Sequence, residues 1–124
     1  MGSKPLEVGG VSVIMPAYNT AGEILNRIFG VEEAIGVLTS DYEVMALDDG
    51  STDGTGAIAK DCLKSNPRLR LISYRENVGK GYALRLGFKE ATRETGVFYR
   101  LKIIKWYQKN MNNKDARYRP VIPI

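Results

Sequence analysis

The fold of this chain is decided by one stretch, Tyr42-Glu43-Val44-Met45-Ala46-Leu47-Asp48-Asp49-Gly50-Ser51-Thr52-Asp53-Gly54-Thr55. Its first half, residues 42–47, is apolar and predicts a buried strand. Two adjacent carboxylates follow, and in an open α/β sheet ligands bind outside the carboxyl ends of the strands. We therefore predict that Asp48 and Asp49 belong to a site for sugar or base hydroxyls, or for a hard cation. Capping of the next helix is the alternative, and it explains residues 51–53 better than the adjacent pair.

The composition indicates a single soluble domain. The chain has 124 residues, 44% of them apolar and 26% charged, which suits one globular unit with a modest core. No apolar run approaches the roughly 20 residues that span a bilayer, and residues 1–10, expected to be a flexible N-terminus, lack the apolar core of a secretory signal. We therefore expect a cytoplasmic protein. The absence of histidine excludes catalysis by histidine, and the single Cys62 is expected in the core.

The positive charge is concentrated at the C-terminus. Residues 98–124 hold seven Lys or Arg against one acidic residue, whereas residues 1–97 hold 11 against 13. The basic segment, residues 100–124, is of uncertain structure. It is interpreted either as a tail that meets nucleic acid, an anionic surface or a partner chain, or as a solvated terminus. We favour the solvated terminus and expect no nucleic-acid partner.

Apolar runs and helical periodicity alternate along residues 11–99. Four strands are predicted at residues 11–15, 42–47, 68–74 and from 97, with Pro16 ending the first. Three helices are predicted between them, at about residues 21–38, 55–63 and 82–92. Thr20 is the expected N-cap of the first helix, with Glu23 at the capping-box position, and Leu25 and Phe29 fall among its periodic apolar residues. This β-α-β-α-β-α-β order predicts an α/β domain with right-handed crossovers and a parallel sheet.

Three predicted loops follow carboxyl ends of strands and are expected to meet in one crevice. We predict that they supply carboxylates for a ribose or base edge and cations for a diphosphate. The candidate residues are Pro16, Ala17, Tyr18 and Asn19 after the first strand, Asp48 and Asp49 after the second, and Lys80 and Arg85 after the third. For Arg85 an ordinary helix-surface charge is the simpler interpretation.

A dinucleotide site is a further alternative. Gly54, Gly56 and Ala59 match the G-x-G-x-x-A fingerprint, and Glu76 lies twenty residues after Gly56. In that fingerprint the glycines follow the strand directly and approach a pyrophosphate. Here carboxylates intervene and would repel the pyrophosphate, so an NAD(P)-binding domain is the less favoured interpretation.

Three ordered motifs carry a resemblance to a known family. They are Val11-Ser12-Val13-Ile14-Met15-Pro16-Ala17-Tyr18-Asn19, then Leu47-Asp48-Asp49-Gly50-Ser51-Thr52-Asp53-Gly54-Thr55, then Asn77-Val78-Gly79-Lys80-Gly81-Tyr82-Ala83-Leu84-Arg85-Leu86-Gly87. Over about residues 11–99 the chain resembles the inverting family 2 glycosyltransferases of GT-A fold, in particular those that transfer sugars to polyprenyl or dolichyl phosphate, such as dolichyl-phosphate mannosyltransferases.

The resemblance implies a fold and a ligand. The fold is the Rossmann-like, three-layer half of GT-A, with a mostly parallel sheet in the order 3-2-1-4, and the ligand is a GDP- or UDP-sugar. Matching positions that contact the nucleotide in the family are Pro16, Tyr18, Leu47 and Asp49, with Asp48 beside them. The expected acceptor is a lipid phosphate, and the expected location is the cytoplasmic face of a membrane. The chain is also expected to self-associate through an open sheet edge.

The chain departs from the family at two points. Many relatives have a glutamate where Thr20 stands here. The resemblance also implies a divalent cation, Mg²⁺ or Mn²⁺, but the Asp-x-Asp motif that holds it in the family is absent from this sequence, so no metal ligand is assigned. The acceptor-binding half is missing too. We therefore expect a truncated or naturally short relative that is inactive alone, with a non-catalytic interaction module using the basic segment as the alternative.

Overall fold

A computed structural model describes residues 9–99. Its strands and helices alternate in the predicted order, with bounds β1 Val11–Ala17, α1 Ile24–Leu38, β2 Tyr42–Asp49, α2 Thr55–Cys62, β3 Leu69–Tyr74, α3 Lys80–Glu90 and β4 Thr95–Phe98. A 3₁₀ turn at Leu63–Ser65 extends α2. The basic segment, and residues 1–8 of the predicted flexible N-terminus, lie outside the described residues.

All the strands pair in parallel, in the order β3-β2-β1-β4. The helix α3 packs on one face of this sheet, and α1 and α2 pack together on the other. This arrangement confirms the predicted α/β class, the strand order 3-2-1-4 and the three layers. Within residues 9–99, β3 and β4 each pair along one side only, which leaves their outer edges unpaired. Self-association through such an edge stays a prediction.

The core lies at the two central strands, which helices cover on both faces. Strands covered on both faces are apolar along their whole length, whereas half-exposed strands alternate apolar and polar residues. In β1 all residues except Pro16 are buried. In β3, at the edge, only Leu69 is buried. Cys62 is buried as predicted, and burial raises the pKa of its thiol. Gly87 brings α3 close to the sheet, since a Cβ there would lie 3.3 Å from Leu47 Cδ2.

The prediction that Pro16 ends the first strand is wrong, because β1 continues past it. Backbone groups of a central strand point alternately to its two neighbours. The Tyr99 N–H donates to the Ile14 carbonyl from the β4 side, so the even-numbered residues of β1 face β4. Since β4 ends at Phe98, opposite Ile14, the missing N–H of Pro16 lies beyond the last paired residue. The proline therefore coincides with the end of the pairing between these two strands.

The predicted start of the first helix is also wrong. The helix α1 begins at Ile24, and Glu23, at its N-cap, makes no capping hydrogen bond with its side chain. Thr20 contributes its backbone carbonyl instead, which accepts from the N–H groups of Glu23 and Ile24. Leu25 and Phe29 are exposed on α1, because the helix packs against the sheet through Ile24, Ile28, Val31, Ile35 and Leu38.

Two other boundaries shift toward the candidate site. The strand β2 runs two residues beyond the predicted end, so Asp48 and Asp49 are strand residues. The helix α3 begins at Lys80 instead of residue 82, after Gly79 with φ of +115°. Both shifts bring predicted site residues onto regular elements. No described helix is both long enough and apolar enough to cross a membrane.

Candidate functional site

The carboxyl ends of β1, β2 and β3 lie side by side at one edge of the sheet. Ala17, which ends β1, is opposite Asp48, and Asp49, which ends β2, is opposite Tyr74 at the end of β3. The three loops that follow these strands therefore start next to each other. Tyr18 lies in the first of these loops and Lys80 is the first residue of α3, directly after the third, and both are exposed.

Asn19 joins the first loop to the second. Its N–H donates to Ser51 Oγ at 2.9 Å, and its Oδ1 accepts from the N–H of Thr52 at 2.8 Å. Asn19 adopts a left-handed φ of +52°, which asparagine tolerates better than most residues. Its side-chain oxygen thus holds the two loops together.

Residues 20 and 21 add further bonds between the same loops. The Thr20 N–H donates to Thr55 Oγ1 at 2.8 Å, and the Ala21 N–H donates to Asp53 Oδ2 at 3.1 Å. Asp53 Oδ1 accepts from the N–H and the hydroxyl of Thr55, and the bond from that hydroxyl is the main cause of the lowered pKa of Asp53. The predicted capping residues therefore bind the loop after β1 as well as the start of α2.

The adjacent carboxylates Asp48 and Asp49 point to opposite faces of the sheet. They end a strand, and successive side chains of a strand alternate. Asp48 Oδ1 accepts from the Ser51 N–H at 3.1 Å, and its other oxygen faces Gly56, where a Cβ would overlap it. Gly56 thus makes room for a carboxylate, whereas in the dinucleotide fingerprint a glycine makes room for a pyrophosphate. The pair does not act as one acidic cluster.

Asp49 instead faces the third loop and holds it. Its Oδ1 accepts from the Val78 N–H at 2.9 Å, and its Oδ2 accepts from the Gly79 N–H at 2.9 Å and from Asn77 Nδ2 at 2.8 Å. The carboxylate is 3% exposed. The loop leading into α3 is therefore fixed to the end of β2 by one buried acidic side chain.

Tyr74 and Tyr82 lie beside this connection. Their rings pack edge to face, with centroids 5.3 Å apart. They help to line an open cavity of about 570 Å³, together with Arg75, Glu76 and Val78. The Tyr74 hydroxyl is buried without a hydrogen-bond partner among the described residues, and burial, with the Asp49 carboxylate nearby, raises its pKa. The tyrosine is therefore a neutral, mainly packing residue.

Lys80 and Arg85 bring positive charge to the start of α3. Both are exposed, and neither forms an ion pair within residues 9–99. A Cβ on Gly81 would lie 3.6 Å from Arg85 Nη1, so the guanidinium extends back toward the first turn. Helix N-termini also favour anions. This end of α3 can therefore attract a phosphate group.

The remaining predicted site residues differ in exposure. Leu47 is fully buried and Ala17 is 4% exposed, so their side chains contribute shape and packing under the edge. Pro16 is half-buried, and Tyr18 is 47% exposed. Tyr18 is therefore the aromatic side chain of the first loop that remains accessible for stacking. The ligand contacts of all these residues stay predictions.

The described residues do not match the cation that the resemblance implies. Within residues 9–99, no three His, Cys, Asp or Glu side chains come together as a metal site. Asp48 and Asp49 point apart, and both accept backbone N–H groups. Asp48 and Asp49 therefore do not chelate one cation together.

Comparison with known proteins settles the family. Residues 12–100 match the family model described as Glycosyl transferase family 2. The chain belongs to this family. A similar relative is the dolichyl-phosphate beta-glucosyltransferase of Saccharomyces cerevisiae, 37% identical over 97 residues that cover 71% of this chain and 28% of the relative. Glycosyltransferase AglD of Haloferax volcanii is 35% identical over 91 residues, covering 72% of this chain and 15% of the relative.

A solved glycosyltransferase structure supports the fold. The mannosyltransferase PcManGT from Pyrobaculum calidifontis, solved in complex with GDP-Man and Mn²⁺, superposes with a TM-score of 0.62 at 29% identity. The alignment covers 77% of this family 2 chain and 29% of the mannosyltransferase. The chain thus spans less than a third of the length of these relatives.

Some residues that build the site were not singled out from the sequence. The sequence motif contains Asn77 but does not indicate that its side chain donates twice to Asp49. Ser51 was interpreted as a cap, although it accepts from Asn19. A sequence signal for this contact is available. Where one strand ends in an acidic residue and the loop after the neighbouring strand contains an asparagine, the side-chain amide can donate to the carboxylate.

Proposed function

We propose that this chain is the donor-binding part of a family 2 glycosyltransferase and binds a nucleotide-diphospho-sugar at the carboxyl edge of its sheet. The observation that carries the proposal is the joining of three loops at that edge, through Asn19 on one side and Asp49 on the other. The PcManGT structure holds GDP-Man, which supports a nucleotide-sugar donor here.

The residues at the edge have complementary tasks in this proposal. Tyr18 packs against the base, next to Pro16. Asp49 accepts from a nucleoside N–H or hydroxyl through Oδ1, which accepts one described hydrogen bond, from the Val78 N–H. Lys80 and Arg85 meet the diphosphate, whose negative charge they and the start of α3 attract. Asp48 shapes the loop after β2 from the opposite face of the sheet.

The acceptor and the setting are also proposals. Relatives named as dolichyl-phosphate and undecaprenyl-phosphate transferases support a polyprenyl phosphate as acceptor, and hence work beside a membrane surface. We propose that acceptor binding, the general base and the cation ligands belong to a part of the enzyme beyond residues 9–99. Transfer would then need both parts, whereas donor binding would need only this one.

Titration of the whole chain with UDP and GDP by calorimetry tests the proposal. We expect saturable binding of one of the two, and less than about a threefold change in Kd when Mn²⁺ is added, because Asp48 and Asp49 point to opposite faces of the sheet. ADP is the matched control, since it carries the same diphosphate on a base that presents a different edge. Absence of saturable binding of UDP and GDP at millimolar concentration would contradict the proposal.

Lys80→Ala is expected to weaken UDP or GDP binding by about tenfold, because a hydrogen bond to a charged group contributes roughly 1.5–3 kcal/mol. Lys89→Ala is the matched control, since Lys89 lies in the last turn of the same helix, away from the edge. Both variants should unfold at the parent's temperature, because both side chains are exposed. Equal affinities of the two variants would remove Lys80 from the site.

A further inference from the structure

We propose that Asn77 is a positioning residue for the nucleotide site, acting through Asp49 and Lys80 without contacting the ligand; this inference rests on the proposed function. The Asn77 amide Nδ2 bridges two acceptors of one residue. It donates to the Asp49 backbone carbonyl at 3.0 Å and to Asp49 Oδ2 at 2.8 Å. One side chain thus holds both the end of β2 and the carboxylate on it.

These bonds determine how the Asp49 carboxylate is presented. A carboxylate has about four acceptor positions, and three are occupied by Asn77 Nδ2 and the N–H groups of Val78 and Gly79. The Tyr74 hydroxyl lies next to this carboxylate, so a ligand would share the remaining acceptor position on Oδ1 with it. The direction of this position is set by the loop, because the Asp49 side chain is 3% exposed and has no room to turn.

The same loop positions Lys80. Gly79 is the N-cap of α3, and its carbonyl accepts from the Ala83 N–H in the first turn. Lys80 follows Gly79 directly. If the loop moved away from Asp49, Lys80 would therefore shift and the Asp49 carboxylate would lose its orientation at the same time. Gly50 lies against the backbone of residues 76 and 77, so the loop also packs against the residue that follows Asp49.

Two substitutions at this position test the bridging amide. Asn77→Ala removes the bridging amide, and we expect UDP or GDP binding to weaken by about tenfold in a chain that remains folded by circular dichroism. Asn77→Asp places a second carboxylate against Asp49. At a pH of about 7.5 like charges repel and binding should weaken at least as much. Toward a pH of about 5 a shared proton restores a donor, and binding should recover relative to the parent.

Asn66→Ala and Asn66→Asp are the controls, because the Asn66 amide also donates to a carboxylate, that of Glu32 at 2.7 Å, but lies before β3 at the opposite edge of the sheet. Each variant is compared with the parent at each pH, which removes the titration of the nucleotide itself. Parent-like affinity of both Asn77 variants would overturn the inference and leave the proposed function standing. Binding by Asn77→Asp that stays weak at every pH would also overturn it. A parent that binds neither UDP nor GDP would overturn the proposed function itself, and the inference with it.

Discussion

Gly50→Ala is expected to lower the free energy of unfolding by about 4 kcal/mol. Gly50 has a φ of +72°, a region that costs an L-residue roughly 1–2 kcal/mol. A Cβ there would also lie 2.5 Å from the Glu76 carbonyl carbon and 2.9 Å from Asn77 Cα, and closer still to Asn77 N. These are backbone atoms of a loop fixed to Asp49, so they cannot move aside as a side chain can. Urea denaturation followed by circular dichroism measures the loss.

Gly54→Ala is the matched control for Gly50→Ala. Gly54 has a similarly left-handed φ of +93°, but a Cβ there meets nothing within 4 Å. It should therefore cost only the backbone strain, roughly 1–2 kcal/mol. Equal losses at the two positions would show that residues 76 and 77 shift freely, which would contradict a rigid connection between the second and third loops.

Glu43→Gln is expected to lower the free energy of unfolding by about 3 kcal/mol. Glu43 is 4% exposed, and its carboxylate accepts from the Ser12 hydroxyl, from the N–H and hydroxyl of Thr92 and from Arg70 Nη1. It therefore links β1, β2, β3 and the segment before β4. The side-chain amide of a glutamine would direct its N–H groups at other hydrogen-bond donors. It would also leave the charge of Arg70 without its carboxylate partner. Glu33→Gln, on the exposed face of α1, should change stability little.

The pH dependence of unfolding provides a second measurement on Glu43. Burial alone would raise the pKa of this carboxyl, but hydrogen bonds from Ser12, Thr92 and Arg70 lower it to about 2 from 4.5. A lowered pKa in the folded state means that the stabilisation is complete above 4.5 and is lost as the pH falls toward 2. The parent should lose stability across that range more steeply than Glu43→Gln. Parallel curves would contradict this assignment.

The order of the elements was predictable because each has a distinct pattern in the sequence. Buried parallel strands give apolar runs and covering helices give a period near 3.6, so the chain order and the loop-bearing edge followed directly. The boundaries were less predictable. Pro16 lies inside β1 because of where β4 ends, and that pairing joins residues far apart in the chain.

The meeting of three loops at one sheet edge was predictable, but the connections between those loops were not. Treating Asp48 and Asp49 as loop residues hid the alternation that sends them to opposite faces. The role of Glu43 was missed because its four hydrogen bonds come from distant segments, up to 49 residues away. Local patterns cannot report such partners. An acidic residue within an otherwise apolar strand was the signal available, since a buried carboxylate requires donors.

The central position of β1 has a consequence for how the chain acquires its structure during synthesis. β1 is made first, yet its neighbours on either side come from the middle and the end of the described residues. The N–H of Arg93 reaches back 81 positions to the Ser12 hydroxyl. Pairing over such separations is slow because large loops must close before any contact forms. We therefore expect the nascent chain to expose the edge of β1 that pairs with β4 until residues 95–98 emerge from the ribosome.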